Sequence, residues 1–269
     1  MTIYKKKRSF KKKRPILRHR FFWPVFLGLI FLSLVTYFFL FSGIFDLKQI
    51  DISGNSKIKT QKIEIVLRQN FSKNILDFSI NNIFLADLPG LEKKILDSFP
   101  EADQVFLQRK APASLICQIK EKIPVAIFDA SGTYFYLDSK GIAFEKPAES
   151  SADFIKLKIN DFTGIPSLGE KLIEGETLAE ILRIDNGMKN ILKIIPTEAV
   201  LVSPERLDVF TIEQWYVFFN PEKDVDWQIT KIQAVLEKYV KPEERPQLEY
   251  VDVRFGDLAP YKYKEAIRE

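Results

Sequence analysis

Histidine and cysteine are almost absent from this 269-residue chain, which holds one of each, His19 and Cys117. A lone cysteine forms no internal disulfide, so the folded parts must be held by their apolar cores. Cys117 falls in the apolar alternation of residues 115–119, the setting of a buried, inert thiol. With the only histidine at position 19, the rest of the chain has no Ser–His or Cys–His pair and no histidine metal ligand. No G-x-S-x-G motif, glycine-rich phosphate loop or zinc spacing occurs. Paired carboxylates of the kind that hydrolyse glycosidic bonds are not excluded by so many Asp and Glu, but an ordinary solvated surface accounts for the same acids. The expectation is a protein that is not an enzyme and uses no cofactor and no metal.

Charge is missing in two informative places. Residues 1–20 contain no acid but ten Lys/Arg, and residues 21–45 (FFWPVFLGLIFLSLVTYFFLFSGIF) contain no charge at all. A 25-residue helix reaches about 37 Å, enough to cross a hydrocarbon core of ~30 Å with some tilt. Pro24 lies in its first turn, where a missing N–H costs little. The run exceeds the apolar stretch of about 7–15 residues in a cleavable signal peptide, and residues 39–46 offer no A-x-A site. A buried core helix is rarely apolar on every face over this length. The basic run KKKRSFKKKR suits phosphates as well, but beside a span it serves orientation or anionic headgroups. The basic flank is expected to stay cytoplasmic, which puts everything after Phe45 outside the cytoplasm.

The net charge of +4 is misleading in this light. Removing the ten basic residues of the tail from 40 leaves 30 Lys/Arg against 36 Asp/Glu, or −6, for residues 21–269. The folded part is mildly acidic and is no candidate for nucleic-acid binding.

Residues 47–52 (LKQIDI) alternate as a half-buried strand, followed by the turn Ser53-Gly54-Asn55. Thr60 is the expected N-cap of a helix over 61–70, and 88–99 is a second helix with Pro89 at its start and Pro100 behind it. Strands are expected around 105–110 and 113–121, with Leu115, Cys117 and Ile119 on one face. A hairpin follows at 134–144, then a helix at 176–190 and strands at 198–203, 207–212 and 216–219. A helix over 226–240 has Ile229, Ile232, Leu236 and Tyr239 spaced for one face, and a strand at 248–255 closes the pattern.

The order strand, helix, helix, strand, strand, with the turn SGN, the helix-ending FP and the segment QRKAPASLICQIKEKIPVAIF, resembles the POTRA domain of the FtsQ/DivIB family of bacterial cell-division proteins. The family pattern P-x-V-x-x-V-x-V-x-R-x-x-P-x-T-L, running into V-x-E-R-x-P-V-A, is matched by Pro100, Val105, Leu107, Arg109, Pro112, Leu115, Glu121, Pro124, Val125 and Ala126. Lys122 stands for the usual Arg, Ser114 for Thr, and Lys73 where Gly is common before Asn74. YFYLDSKGIAF at 134–144 and LEYVDVRF at 248–255 resemble later family segments. The resemblance implies an α+β chain. It comprises a cytoplasmic basic tail (1–20), a transmembrane helix (21–45), a POTRA domain of βααββ order (46–121), an FtsQ-type β domain (122–265) with a C-terminal antiparallel sheet, and a short tail (266–269).

It also implies a scaffold of the division septum in the cell membrane. The partners would be bitopic proteins like FtsB and FtsL (DivIC in some bacteria), with no nucleic acid and no small-molecule substrate. In the family the partner adds a strand to the last edge of the second domain. The matching positions here are Arg254, Phe255, Asp257 and Leu258, with Tyr261 and Tyr263 as large amphipathic contacts and Arg254 a candidate for a bidentate bridge to a partner carboxylate. Pro260 lacks an N–H; it either caps the strand, leaving 261–265 to pair, or shifts its register. Two other classes fit less well. A POTRA-bearing secretion or assembly factor would carry a β-barrel or repeated POTRA units, and a wall hydrolase would need paired acids in a cleft. A reporter enzyme that is active only outside the cytoplasm, fused after Glu269, is expected to be active; an inactive fusion would overturn the orientation.

Overall fold

The computed structural model describes residues 21–75, 78–147 and 153–265. The basic tail with His19 and the tail at 266–269 lie outside the described residues. The chain is mixed α+β, with one N-terminal apolar helix and a large mixed sheet. It divides into two compact units, one of Met1–Asn55, Lys59–Ile95 and Val105–Ile119, the other of Ser56–Ile58, Leu96–Gln104 and Lys120–Glu269.

The first helix, α1 (Phe22–Phe41), has no buried residue. By length and composition it is apolar enough to cross a membrane. Beyond it come β1 (Gln49–Ser53), α2 (Thr60–Phe71), β2 (Lys73–Ile75), β3 (Phe78–Ile80), α3 (Leu88–Ser98), β4 (Ala102–Lys110) and β5 (Ser114–Glu121). β1, β5 and β4 form a three-stranded sheet in that order, with β1 parallel to β5. The small β2–β3 hairpin is an insertion that the apolar periodicity did not announce. α2 turns Ile63, Leu67 and Phe71 inward, α3 turns Leu88, Leu91 and Ile95, and β5 alternates Leu115, Cys117 and Ile119. Burial pushes the Cys117 thiol up to about 12, with Glu92 adding to the effect, so the thiol is neutral and inert.

Two motif residues acquire a physical reason. Gly54 has φ +85°, and a Cβ there would stand 2.1 Å from the Ile119 carbonyl oxygen, so only glycine fits. The Arg109 guanidinium donates to the carbonyls of Ile83 (2.7 Å) and Ala86 (2.8 Å), tying β4 to the loop before α3. Thr60 is not the N-cap. It is the first helical residue, with Lys59 at the cap and the Thr60 hydroxyl accepting from Asn55 Nδ2 at 3.0 Å.

The second unit is built on a nine-stranded sheet in the order β14-β13-β12-β11-β10-β9-β6-β7-β8. Its strands are β6 (Ala126–Ala130), β7 (Thr133–Leu137), β8 (Ala143–Glu145), β9 (Lys156–Ile159), β10 (Pro196–Ser203), β11 (Arg206–Thr211), β12 (Tyr216–Phe219), β13 (Leu248–Asp252) and β14 (Tyr261–Tyr263). α4 (Gly175–Gly187) runs on into a wider π turn at Met188–Leu192, and α5 (Val225–Lys238) is capped by Asp224, which accepts from the Trp227 N–H at 3.1 Å. Strands and helices share one core, with Phe128, Phe135, Leu207, Val217, Phe219, Ile181, Ile229 and Ile232 buried in it. The C-terminal sheet is not wholly antiparallel. α5 lies between β12 and β13 in the chain, and such a crossover returns the chain parallel, as β12 and β13 pair here. Tyr239, expected on the buried face of this helix, is 64% exposed; Val235 and Val240 are buried instead.

Within this unit the Glu121 carboxylate accepts from the backbone N–H groups of Ser56, Lys57 and Ile58, each at 2.9 Å, and from the Ser56 hydroxyl at 3.0 Å. Partial burial pushes its pKa up, but the N–H groups of Ile58, Lys57 and Ser56 outweigh this and hold it below the ordinary value. A carboxylate depressed in the folded state adds stability above its unfolded pKa and loses it as pH falls through the folded one. Glu121→Gln is therefore expected to lower the melting temperature at pH 7, with the gap to the natural protein closing as the pH drops below the carboxylate range. A gap unchanged by acid, followed by circular dichroism, would contradict this account.

Candidate partner-binding edge

β14 is the end of the nine-stranded sheet, paired with β13 on one side and with no strand on the other among the described residues. The register sets Tyr263 opposite Leu248, Lys262 opposite Tyr250 and Tyr261 opposite Val251, with an irregularity between Leu248 and Tyr250. The Asp252 N–H donates to the Pro260 carbonyl at 2.8 Å and the Lys264 N–H to the Gln247 carbonyl at 2.8 Å. Residues 260, 262 and 264 thus turn their backbone groups toward β13. By the alternation of an antiparallel ladder, the N–H and C=O of Tyr261 and Tyr263 point to the open side. Pro260 sits directly before the strand and faces inward, so the donor it lacks is lost to β13 and not to the open edge.

Side chains follow the same alternation. Tyr261 and Tyr263, 37% and 36% exposed, meet edge to face with ring centroids 5.8 Å apart. The Tyr263 hydroxyl donates to Glu244 at 3.2 Å, and Lys262 on the opposite face pairs with Glu249 at 2.7 Å. Asp257, Leu258 and Tyr261 line one wall of a groove of about 460 Å3 whose other wall is α5, with Trp227, Val235 and Tyr239. Leu258 is 71% exposed.

Arg254 and Phe255 do not join this group. The Arg254 fork is already engaged inside the chain, its Nη2 2.6 Å and its Nε 2.9 Å from the two carboxylate oxygens of Asp252. Its guanidinium lies over the rings of Phe218 (5.6 Å) and Phe255 (5.3 Å). Arg206, held by Asp208 in the same bidentate manner, also lies over Phe218, at 5.0 Å. An aromatic row, Phe210, Tyr216, Phe218 and Tyr250, continues across β11, β12 and β13 on this face.

The residue that sequence reasoning missed is Lys231. It lies on α5 and is buried, and its ammonium donates to the carbonyls of Val253, Phe255 (3.3 Å), Gly256 (2.8 Å) and Leu258 (3.4 Å). Burial pulls its pKa below the ordinary lysine range, with Asp257 and Asp252 opposing. One ammonium thereby fixes the turn that leads from β13 into β14. A lysine inside an amphipathic helix carries no signal of carbonyls more than twenty residues away.

Among the described residues no group of three His, Cys, Asp or Glu is placed to hold a metal. No family model matches the sequence. The extracytoplasmic domain of the cell-division protein DivIB from Geobacillus stearothermophilus, in its trans isomer, aligns over 45% of this chain and 99% of its own at 18% identity. Its TM-score of 0.28 is too low to carry an argument. A cell-division protein DivIB of Clostridium tetani (strain Massachusetts / E88) is 25% identical over 204 residues, 71% of this chain and 70% of that one. The chain is thus similar to a DivIB cell-division protein, in keeping with the family resemblance of the motifs around Arg109, Glu121 and Tyr250.

Proposed function

We propose that the chain is a membrane-anchored scaffold of the bacterial division septum that takes up a partner strand at β14. The observation that carries this reading is the open edge, where the outward N–H and C=O groups of Tyr261 and Tyr263 have no strand partner among the described residues. Strand addition draws affinity from such backbone groups and selectivity from the side chains beside them. Here those side chains are the two tyrosines, together with Leu258 and Asp257 in the groove. Arg254 contributes through its bridge to Asp252, as a rigid neighbour of the edge. The partner is a bitopic division protein of the FtsB/FtsL (DivIC) type, and the POTRA domain of 46–121 and the β domain of 122–265 are the two interaction modules. α1 holds them at the outer surface of the cell membrane, where a partner with its own span meets them at a high effective concentration. The role requires no chemistry of the exported part.

Proline separates the backbone contribution from the side chain. Tyr263→Pro removes an outward N–H on an edge strand, a position that tolerates proline. It is expected to weaken binding of the partner's extracytoplasmic segment well beyond the loss in Tyr263→Ala. Equal affinities for the two variants in calorimetric titration would rule out strand addition at this edge. Lys231→Met keeps the bulk but takes the ammonium donor from the carbonyls of Val253, Gly256 and Leu258. Hydrogen exchange at the Asp252 and Lys264 amides is expected to quicken, and partner affinity to fall with it; unchanged exchange would remove Lys231 from the account.

A further inference from the structure

The segment joining α1 to β1 is clamped to the loop before α3. Asn82, 4% exposed, donates from Nδ2 to the Phe39 carbonyl in the last turn of α1 at 2.7 Å and accepts the Phe84 N–H on its Oδ1 at 2.9 Å. The Ile83 N–H donates to the Phe45 carbonyl at 2.9 Å and the Leu47 N–H to the Asn81 carbonyl at 3.0 Å, a short antiparallel pairing centred on the Asp46–Asn82 bridge. Arg109 holds the carbonyls of Ile83 and Ala86 from the other side. The loop is thus fixed on two sides, and Phe84 stays 50% exposed. Its ring meets Phe45 edge to face at 5.4 Å, and Phe45 stacks on Phe39 at 5.0 Å. Ile44, next to Phe45 in the chain, is 43% exposed, and Phe39 is 48% exposed.

We infer that Phe84, with Ile44, beds into the lipid at the outer boundary of the membrane, so that the first unit rests on the bilayer surface at a fixed height. This builds on the reading of α1 as a span. A helix of 20 residues covers about 30 Å, the thickness of the hydrocarbon core, which puts its last turn at the interface. Phe84 is two ring contacts from that turn, at the level where aromatic side chains concentrate in membrane proteins. Continuity with the span selects lipid as the occupant over a second copy or a partner helix. A half-exposed phenylalanine on a loop pinned from both sides cannot be withdrawn by a small rearrangement.

The full chain, purified and placed one copy per nanodisc of phosphatidylethanolamine and phosphatidylglycerol, tests this with nitroxide labels. Cysteines are introduced singly as Phe84→Cys, Ser33→Cys within the span and Lys93→Cys on the exposed face of α3. Cys117, buried and protonated, stays unlabelled. The expected result is that the labels at 84 and 33 are reached by oxygen in preference to a water-soluble nickel chelate, and the label at 93 by the chelate. Adding Asn82→Ala should reduce the preference at 84 and leave that at 33 unchanged. A water-exposed label at 84 with a lipid-exposed label at 33 overturns this inference alone. A label at 84 shielded from both reagents overturns it too, because protein then covers the site. A water-exposed label at 33 overturns the reading of α1 as a span.

Discussion

An ammonium taken out of water costs several kcal/mol unless the protein returns what solvent supplied. Lys231 recovers it from four carbonyls of the 253–258 turn, a cage built entirely of backbone. Lys223 adds a bond to the Arg254 carbonyl at 3.2 Å, and the Leu258 N–H closes the turn on the Phe255 carbonyl at 3.0 Å, while Phe255 and Leu258 point outward. This cage and the ladder bonds of Asp252 and Lys264 together define the path of β13 into β14. The helix that carries Lys231 is also the crossover that makes β12 and β13 parallel, so one element sets both the order of the last strands and the anchor of the final turn.

The legible parts of the fold are those whose signal is local. The apolar run of α1, the proline-bounded α3, the alternation of β4 and β5 and the Ser53-Gly54-Asn55 turn were all readable, because side-chain period and turn chemistry act over a few residues. Glu121 and Arg109 were readable only as motif positions. Their work, receiving the N–H groups of Ser56, Lys57 and Ile58 and holding the carbonyls of Ile83 and Ala86, depends on chain segments tens of residues away. The same limit hid Lys231 and the clamp at Asn82. It also left Arg254 looking free for a partner, when its own Asp252 lies two residues back. Thr60 failed as a cap for a local reason: Asn55 engages its hydroxyl.

The two faces of the large sheet have separate characters. One supplies Leu207, Val217, Phe219 and Val251 to the common core with α4 and α5. The other bears the row Phe210, Tyr216, Phe218 and Tyr250 with two guanidinium groups over Phe218. Each guanidinium keeps its own aspartate, so the stack brings cations onto an aromatic face without leaving them unpaired. Such contacts contribute about 0.5–1 kcal/mol each at exposed sites, and they stiffen the strands that present the edge.

The brevity of β14 has a bearing on solubility. A long, flat, apolar edge would pair with its own copies. This one spans three residues, Tyr261–Tyr263, has a proline immediately before it and a lysine at its centre. So short an edge, interrupted by proline and carrying a charged side chain, is a poor template for pairing with its own copies.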